Sequence, residues 1–499
     1  MGHEYKKPFD LSGKMIEKVK DIKGNVIYLD RILGQGGQGM VCRSLDKNLA
    51  VKFLTRNNKV VFNEKVYETF KEKVDEVSIM RLDDDIHLCK PEVMLEKPLC
   101  GYVMMLLNGL EPINNLIYNH NSDSVSLNQF YLETGGIKKR LEVLIELART
   151  IARLHSKGIV YCDISPNNVF FAKGNNFSNV WLIDCDNLKF SNEIKRGIYT
   201  PGYGAPEIVN QITDNTIFSD CYSFAILAFK VLTAKNPFEI NYGSDSSSDG
   251  WDASTHSRND KYLENVGEWI VESDHSIKDK YLKHFMSKDL FELFDLTFNA
   301  KGRMNPNTRP SMLKWYEELK RSYVRLAACS CGQHVLAFET ECPFCKKVIN
   351  KNKYISVFDA NLSFVEAVEH VKEYVNSINY DDESYFINEE EVKKFKSKVH
   401  YEKAYDAVVY NGFTLFNFNY NTISIDEVPS PFLVFTEVND YLYITNKSNI
   451  KFLYKSTNTP KYQTLPENVK ISKGEKILIV HLDNNSNSII KYLSVTYEK

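Results

Sequence analysis

The chain has 499 residues, 43% of them hydrophobic and 25% charged, which is enough apolar material for about three domains of ordinary size. The formal net charge of −3 argues against a protein that binds nucleic acid through an overall basic surface. No apolar run reaches about 18 residues and no charged start leads into an apolar stretch, so we expect no membrane span, no signal peptide and a cytoplasmic location.

The first informative stretch is a glycine-rich segment between two apolar runs. It contains Gly34, Gly36, Gly37 and Gly39. Because glycine has no Cβ, backbone N–H groups in such a loop can approach phosphate oxygens closely, and the flanking runs predict two antiparallel strands. The alternating run 50–53 would place the Lys52 ammonium near those phosphates. No helix is predicted directly after the glycines, which argues against a dinucleotide-binding motif.

Two carboxylates and one amide follow with an informative spacing. Asn168 lies five residues after Asp163, and Asp184 directly follows an apolar strand. Magnesium takes few protein oxygens besides phosphate, so Asn168 and Asp184 have the number and hardness of ligands it needs. Asp163 remains available to accept a hydroxyl proton. The pattern predicts phosphoryl transfer, although either segment alone could simply be a capped loop.

These segments, in this order, resemble the protein kinase family. The resemblance continues in Thr200-Pro201-Gly202-Tyr203-Gly204-Ala205-Pro206-Glu207, which is similar to the end of a kinase activation segment. It implies a bilobal α+β fold, ATP and Mg²⁺ as cofactors, and protein substrates. It also implies that Asp220 supports the catalytic loop, that Arg309 pairs with Glu207, and that Thr200 orients the substrate.

The resemblance implies an ion pair between Lys52 and a glutamate of the following helix, expected at about residues 61–82. Glu76 is the expected partner, because the apolar residues that follow it have a spacing that would pack against a core. Glu72 is the alternative. Other acidic residues of this helix are expected on a solvated face.

The apolar run 101–107 resembles the strand and hinge that hold adenine in kinases, mainly through backbone atoms. The resemblance makes Met104 the gatekeeper of the nucleotide site. The remaining residues that it assigns to nucleotide binding, besides the four glycines and Lys52, are Val41, Ala50, Met105 and Leu107.

Several residues depart from the family pattern. They are Tyr161, Cys162, Ser165, Cys185 and Asp186. Cys162 stands where most kinases have arginine before the catalytic aspartate, so we expect a non-RD kinase that does not depend on activation-segment phosphorylation. Ser165 replaces a lysine typical of Ser/Thr kinases, whereas Thr200 still favours Ser/Thr over Tyr. Asp186 replaces a hinge glycine, which predicts a stiffer segment after Asp184.

These departures admit an alternative function, a pseudokinase or adaptor that binds nucleotide and partners without transfer. Degenerate kinases usually lose the phosphate lysine, the base or a metal ligand. All four such residues are present here, namely Lys52, Asp163, Asn168 and Asp184. The expected activity is therefore ATP-dependent transfer of the γ-phosphoryl group to Ser/Thr hydroxyls.

Four of the ten cysteines cluster in the sequence after the kinase-like part. Cys329 and Cys331 form one pair, and Cys342 and Cys345 form another ten residues later. Two thiolate pairs on turns can supply all ligands of one tetrahedral structural zinc, which predicts a zinc ribbon. Two reducible disulfides are the alternative, which a cytosolic location disfavours. We expect His334 on the surface.

A kinase followed directly by a zinc ribbon, with this wording of the catalytic loop, resembles bacterial kinases of tellurite-resistance-type systems. The resemblance implies a role in bacterial signalling or stress response. It also implies two partner classes, a von Willebrand factor A domain protein and a metal-dependent protein phosphatase. A nucleic-acid partner at the lysines near the second cysteine pair is disfavoured, because such lysines usually form a solvated face.

The sequence divides into three expected domains. Residues 22–325 form the kinase domain, with a small lobe at about 22–106, a large lobe at about 107–325 and a flexible Ser/Asp/Gly-rich insertion at 241–260. Residues 326–350 form the zinc ribbon. Residues 355–499 form a mostly-β, sandwich-like domain with a partly helical lead near 361–377. The sequence of this domain does not indicate its function.

Overall fold

The structure is a computed structural model that describes residues 16–35, 39–57, 59–83, 86–119, 125–172, 180–191, 197–239, 267–360, 401–416, 431–450, 452–459, 463–482 and 489–498. The predictions for Gly36 and Gly37, the insertion 241–260 and the helical lead 361–377 lie outside these residues. The chain forms two compact units. One unit takes residues up to 122, 142–277 and 292–315, and the other takes 123–141, 278–291 and 316–499.

The described elements mix helices and strands, in agreement with the predicted α+β class. The helices are α1 (Glu64–Ser78), α2 (Leu127–Glu133), α3 (Gly136–Ser156), α4 (Pro206–Val209), α5 (Ile217–Thr233), α6 (Ile270–Ser273), α7 (Ser276–Lys280), α8 (Lys288–Phe298), α9 (Ala300–Met304) and α10 (Met312–Val324), with 3₁₀ turns at Ile113–Leu116, Cys185–Asn187, Leu282–His284 and Pro306–Thr308. In the described part of the chain, every helix is too short or too polar to cross a membrane.

The strands fall into two groups along the chain. Those before the cysteine cluster are β1 (Lys18–Lys20), β2 (Val26–Gln35), β3 (Gly39–Ser44), β4 (Leu49–Arg56), β5 (Lys59–Val60), β6 (Val93–Met94), β7 (Gly101–Met105), β8 (Leu110–Pro112), β9 (Ile159–Val160), β10 (Val169–Ala172), β11 (Val180–Leu182), β12 (Lys189–Phe190), β13 (Phe238–Glu239) and β14 (Glu268–Trp269). The later ones are β15 (Leu326–Ala328), β16 (His334–Leu336), β17 (Lys353–Ala360), β18 (Tyr401–Val408), β19 (Phe413–Phe416), β20 (Pro431–Val438), β21 (Tyr441–Asn446), β22 (Phe452–Ser456), β23 (Gln463–Thr464), β24 (Asn468–Ile471), β25 (Lys476–Leu482) and β26 (Ile489–Tyr497).

The first unit opens with an antiparallel sheet. Its strand order is β1-β2-β3-β4-β7-β6, and β5 pairs with β4. β3 alternates between half-buried and buried residues, the period of a strand that faces a core on one side. The predicted hairpin around the glycine-rich segment is confirmed on both sides, since β2 ends at Gln35 and β3 begins at Gly39.

Helix α1 packs its apolar face on this sheet. Asn63 caps it by accepting hydrogen bonds from the backbone N–H groups of Lys65 and Val66. The buried residues of the helix, spaced three or four apart, are Tyr67, Phe70, Val74 and Val77. They join Ala50, Tyr102 and Met104 in one core cluster, which fixes α1 beside the strands that carry the predicted nucleotide site.

The helical part of the first unit is centred on α5. Of its 17 residues, 14 are buried, so α5 is an interior helix. Thr216 and Ser219 form a reciprocal capping box at its start. The same unit contains an antiparallel pair of β10 and β11, in which Val169 pairs with Leu182.

The second unit contains two antiparallel sheets. One has the order β18-β17-β26-β25-β22-β23 and the other β19-β20-β21-β24. The Phe432 ring of the second sheet lies 5.9 Å from that of Phe452 and 5.2 Å from that of His481, both in the first sheet. The C-terminal region is thus β-rich as predicted.

Candidate active site

The strand register places Lys52 in the middle of the first sheet. It pairs with Val41 on β3 and with Tyr102 on β7. A Cβ on Gly39 would lie 3.0 Å from Lys52 Cε and 3.3 Å from the carbonyl oxygen of Phe53. A side chain at Gly39 would therefore crowd the lysine stem, which explains a glycine at the start of β3.

An apolar wall lies next to Lys52. Ala50 pairs with Met104, and both are buried in the cluster that Val41, Leu107 and Ile183 contact. Met105, the next residue of β7, is 46% exposed. These side chains provide the flat apolar surface that an adenine ring would need. Among the described residues, these side chains predicted to bind the nucleotide therefore lie on neighbouring strands.

Asp163 is the centre of a hydrogen-bonded group. Thr200 Oγ1 donates to Asp163 Oδ1 over 2.7 Å, and Asn168 Nδ2 donates to Asp163 Oδ2 over 3.0 Å. The same amide nitrogen donates to the Asp163 carbonyl oxygen over 3.0 Å. These bonds orient the carboxylate and leave the Asn168 amide oxygen, the atom that a metal ion would need, outside them.

Backbone pairing brings Asp184 to Asn168. The Ile183 N–H donates to the Asn168 carbonyl over 3.0 Å, continuing the β10–β11 hairpin. Tyr161 Oη donates to the Ile183 carbonyl, so this residue, where most kinases have histidine, links the catalytic loop to the start of the Asp184 segment. Asn168 and Asp184 therefore fit a magnesium ion by position and by donor chemistry.

Asp220 anchors the catalytic loop through hydrogen bonds to its backbone. Its buried carboxylate accepts hydrogen bonds from the backbone N–H groups of Tyr161, over 2.8 Å, and Cys162, over 3.0 Å. His155 Nε2 lies 3.0 Å from the same carboxylate. Cys162 has a φ of 78°, which a non-glycine residue rarely adopts without such support. The predicted role of Asp220 is confirmed.

The carboxylates that contact Lys52 differ from the predicted one. Lys52 Nζ pairs with Asp184 and lies 2.7 Å from Asp186 Oδ1. Glu76 is exposed on α1, and among the described residues no pair between Lys52 and Glu76 is formed. The Lys52–Glu76 prediction is wrong for this structure because the α1 residue turned toward the site is Lys73. Its ammonium lies 4.0 Å from Asp186 Oδ2.

Burial and charge set the protonation of this group. Burial raises the pKa of Asp163, against the hydrogen bonds from Thr200 and Asn168. Burial likewise raises the pKa of Asp184 to about 6, although Lys52 opposes it. For Asp186 burial acts in the same direction, but the ammonium groups of Lys52 and Lys73 outweigh it and hold the pKa at about 2. Two ammonium groups, those of Lys52 and Lys73, thus favour the ionised form of Asp186.

Two buried ion pairs hold the segment between Asp184 and α5. Arg309 donates to both oxygens of Glu207 over 2.7 and 2.8 Å, which confirms the predicted pair. Lys189 on β12 pairs with Asp214, and both side chains are largely buried. The bidentate geometry of the first pair is the strong form of this interaction.

Asn215 ties the same segment to the catalytic loop. Its Oδ1 accepts from the Ile198 N–H over 2.7 Å, and its Nδ2 donates to the carbonyl oxygens of Ile198, over 2.8 Å, and Cys162, over 3.1 Å. We call Lys189, Asp214 and Asn215 the activation-segment clasp. It holds the chain just before Thr200 without any added phosphate.

A family model described as protein kinase domain matches residues 28–318, more than half of the chain. The chain belongs to the protein kinase family. A protein kinase domain implies use of ATP and Mg²⁺, and the positions of Lys52, Asn168 and Asp184 fit both.

Three relatives illustrate the similarity. The chain is 33% identical to serine/threonine-protein kinase pkn2 of Myxococcus xanthus over 110 residues, 20% of this chain and 13% of the relative. It is 27% identical to serine/threonine-protein kinase 33 of Mus musculus over 224 residues, 42% of each chain. It is also 27% identical to human serine/threonine-protein kinase D2 over 222 residues, 42% of this chain and 23% of the relative. The matches span less than half the length of these curated relatives.

The second unit brings the four predicted cysteines together. The Sγ atoms of Cys329, Cys331, Cys342 and Cys345 all lie within 4.8 Å of one another. Cys329 and Cys345 are 3.5 Å apart, and Cys331 and Cys342 are 3.8 Å apart. A zinc tetrahedron with 2.3 Å bonds has edges of about 3.8 Å, whereas a disulfide is about 2.05 Å long. The cluster fits a metal site, and none of its four cysteines forms a disulfide.

The turns around these cysteines have the conformation that a metal knuckle needs. Gly332 has a φ of 91° and donates its N–H to the Cys329 carbonyl over 3.0 Å. Lys346 has a φ of 62° and donates to the Cys342 carbonyl over 2.8 Å. Both turns curl so that two sulfurs face inward. His334 lies on β16 with its ring 5.0 Å from that of Tyr410 and is half-buried rather than on the surface.

Several residues of the site were not predicted. Lys73, Asp186, Lys189 and Asp214 act through charge pairs, whereas Asn215 acts through hydrogen bonds. Their sequence signals were weak, because a lysine on an amphipathic helix usually points to solvent. Asp186 was recognised only as the loss of a glycine. The signal that could have revealed its role is the joint presence of an acid after Asp184 and a base on the buried side of α1.

Proposed function

We propose that this chain is a protein kinase that transfers the γ-phosphoryl group of ATP to Ser/Thr hydroxyls of proteins. The observation that supports it most directly is the hydrogen-bonded group of Asp163, Asn168 and Thr200. Asp163 is held where it can accept the proton of a substrate hydroxyl, and Thr200 fixes its orientation. Lys52 supplies a positive charge for the phosphates under the glycine-rich segment.

Magnesium, when bound, would neutralise charge on the phosphates. Asn168 would hold it through the amide oxygen and Asp184 through its carboxylate. Asp184→Asn should therefore weaken magnesium-dependent use of ATP more than metal-free nucleotide binding. Equal affinity for ATP with and without magnesium in the unmutated protein would contradict this site.

Preference for Ser/Thr over Tyr is supported by Thr200 and by the names of the relatives. Ser165 is fully buried, so it does not replace the charge of the missing lysine at the phosphoryl group. Substrate orientation then depends more heavily on Thr200 and Asp163.

The test of the proposed activity is transfer of radiolabelled phosphate from ATP to protein. The unmutated chain should label itself or a generic Ser/Thr substrate, and phosphoamino-acid analysis should find phosphoserine or phosphothreonine. Asp163→Asn, which keeps the shape and removes the base, should lower the rate by about 100-fold or more. Nucleotide binding without transfer in the unmutated protein would instead support a pseudokinase or adaptor.

We propose further that the four-cysteine cluster holds one structural zinc. Four thiolates would close the coordination shell, so the site has no open position for catalysis. Elemental analysis of gently purified protein should find about one zinc per chain. The absence of zinc from such a sample would support free thiols.

A finer placement follows from the same features. We propose a non-RD kinase in a bacterial signalling system of the tellurite-resistance type, acting in the cytoplasm with a von Willebrand factor A domain protein and a metal-dependent protein phosphatase. This placement is supported by the amino-acid sequence of the catalytic loop and by the cysteine cluster that follows the kinase domain. Affinity purification of tagged chain from its native cells, followed by mass spectrometry, should recover both partner classes. Their absence would leave the kinase without this assignment.

A further inference from the structure

Asp186 lies between two lysines that come from different elements. Its Oδ1 is 2.7 Å from the ammonium of Lys52 on β4, and its Oδ2 is 4.0 Å from the ammonium of Lys73 on α1. Tyr102 Oη also donates to Oδ1 over 3.3 Å. Asp186 is only 6% exposed, so these contacts are made with little screening by water.

Lys73 belongs to the buried side of α1. It follows Phe70 by three residues and precedes Val77 by four, and both of those residues face the core. Its ammonium also donates to Asn187 Oδ1 over 2.6 Å, in the same 3₁₀ turn as Asp186. The helix therefore presents a cation to the active site, and the anion comes from the turn after Asp184.

The backbone permits an aspartate at this position. Residues 185–187 form a 3₁₀ turn, a conformation that needs no glycine. Asp184, the other carboxylate on Lys52, is the candidate magnesium ligand, so its charge would be shared with the metal. Asp186 shares a side-chain hydrogen bond with Asp184 and contacts Lys52 directly, but it is not itself a candidate metal ligand.

We propose that Asp186 is the carboxylate that positions Lys52 for the nucleotide phosphates, and that Lys73 couples helix α1 to it. This inference rests on the proposed kinase function. Compared with the ion pair expected between Lys52 and a helix glutamate, the charges are rearranged: the helix carries the base, and the acid lies in the turn. Asp186 acts through Lys52 and is a positioning residue.

The experiment compares four variants for kinetics with ATP: Asp186→Asn, Asp186→Glu, Glu76→Gln and the double variant Asp186→Asn with Lys73→Glu. Asp186→Asn should lower kcat/KM for ATP by about tenfold or more, since a buried hydrogen bond to a charged group is lost. Asp186→Glu, which keeps the charge, should retain activity within about threefold, and Glu76→Gln within about twofold. The double variant should recover part of the loss, because it returns a carboxylate to the site from the α1 position that contacts the turn 185–187.

A second readout does not require ATP. Nucleotide-free protein is treated with acetic anhydride at fixed pH, and acetylation of Lys52 is followed by mass spectrometry. Lys52 of Asp186→Asn should be acetylated faster than Lys52 of the unmutated chain, because its ammonium has lost the carboxylate that holds it at 2.7 Å. The internal standard is Lys157, whose ammonium pairs with Asp83.

The outcomes separate the two proposals. If the unmutated chain transfers no phosphate, the proposed function fails, and Lys52 acetylation still tests Asp186. If Asp186→Asn changes neither kinetics nor acetylation, the positioning role of Asp186 is wrong. The same holds if Glu76→Gln produces these changes instead. If Asp186→Asn unfolds below the assay temperature, the proposal is tested with Asp186→Glu and Lys73→Met instead. Lys73→Met should lower kcat/KM and leave the melting temperature close to that of the unmutated chain.

Discussion

Lys52 shows how strongly its neighbours determine what one side chain can do. Burial alone would lower the pKa of its ammonium, but Asp186 and Asp184 outweigh burial and raise it. The lysine therefore stays charged, as a phosphate-binding group must.

Lys52→Met should abolish phosphoryl transfer while leaving the fold intact. Methionine keeps most of the apolar stem and removes only the charge. Because the loss leaves Asp186 with Lys73 as a remaining cation, the melting temperature should change little. The measurement is radiolabel transfer beside a thermal melt, with Lys71→Met as the matched control, since Lys71 is half-buried and its ammonium pairs with Asp75 on α1. Unchanged transfer would contradict the assignment of Lys52.

The acid limb of the pH profile should report Asp163. Its pKa is raised by burial, and transfer needs the carboxylate, so kcat should fall as the pH drops through a value above that of an ordinary aspartate. Thr200→Val removes a hydrogen bond that lowers the pKa, so the acid limb should move to still higher pH. The profile is measured at saturating MgATP. A limb that moves to lower pH would contradict this role of the Thr200 hydrogen bond.

The chemistry of individual residues was predictable to different degrees. Asp163, Asn168, Asp184 and Lys52 follow from local motifs, because the loop and strand that carry each residue also orient it. The partner of Lys52 was not predictable in this way. Three elements meet at Asp186. Which acidic residue of α1 faces the site depends on the rotation of the helix about its axis. The spacing of the apolar residues determines that rotation only to within about one residue position.

At the scale of elements, the activation-segment clasp joins the segment before Thr200 to the catalytic loop. Cys162 offers no charge for a phosphorylated residue. Lys189 is already paired with Asp214, and Asn215 already joins Ile198 to Cys162. The segment before Thr200 is thus held by groups encoded in the chain.

Activity should therefore survive complete removal of phosphate. Phosphatase treatment of the unmutated protein, and the double variant Ser191→Ala with Tyr199→Phe, should each change the transfer rate by less than about twofold. A drop of about tenfold, near 1.4 kcal/mol of barrier, would show that another basic residue binds an activating phosphate.

The clasp itself should be sensitive to loss of one charge. Asp214→Asn leaves a buried ammonium without its carboxylate and should cost about 3 kcal/mol or more of unfolding free energy. The double variant Lys189→Met with Asp214→Asn should recover much of that loss, since no charge remains buried. Denaturant unfolding measures both. Equal stability of the single variant and the unmutated chain would mean that the pair contributes nothing.

Element prediction from the sequence succeeded where the pattern is local. The hairpin at the glycine-rich segment and the strands of 432–493 follow from alternation and turn residues. Strands β17 and β19 were not predicted: β19 is only four residues long, and both are strands through their pairing, β17 with β26 and β19 with β20.

On the scale of the whole chain, the cysteine cluster belongs to a larger core of the second unit. Ala327, Val335 and Ile349 are buried with its sulfurs, and Val408 of β18 packs against them. The Phe344 ring, between the second pair of cysteines, lies 6.1 Å from Tyr131 of α2. Gln333 Nε2 donates to the Asn128 carbonyl over 2.9 Å. A metal there would stabilise contacts well beyond residues 326–350.

Removing the metal should accordingly loosen α2 and β18 as well as the cluster. A strong chelator should lower the melting temperature by roughly 5 °C or more, because a closed four-thiolate site contributes its binding free energy to folding. Hydrogen exchange should speed up in residues 326–350, α2 and β18, while the interior helix α5 of the first unit keeps its protection. Cys345→Ser should reproduce the change and abolish any further effect of the chelator. Faster exchange confined to residues 326–350 would show that the cluster does not stabilise α2 and β18. An unchanged melting temperature after removal of all zinc would show that the region around the four cysteines folds without a metal.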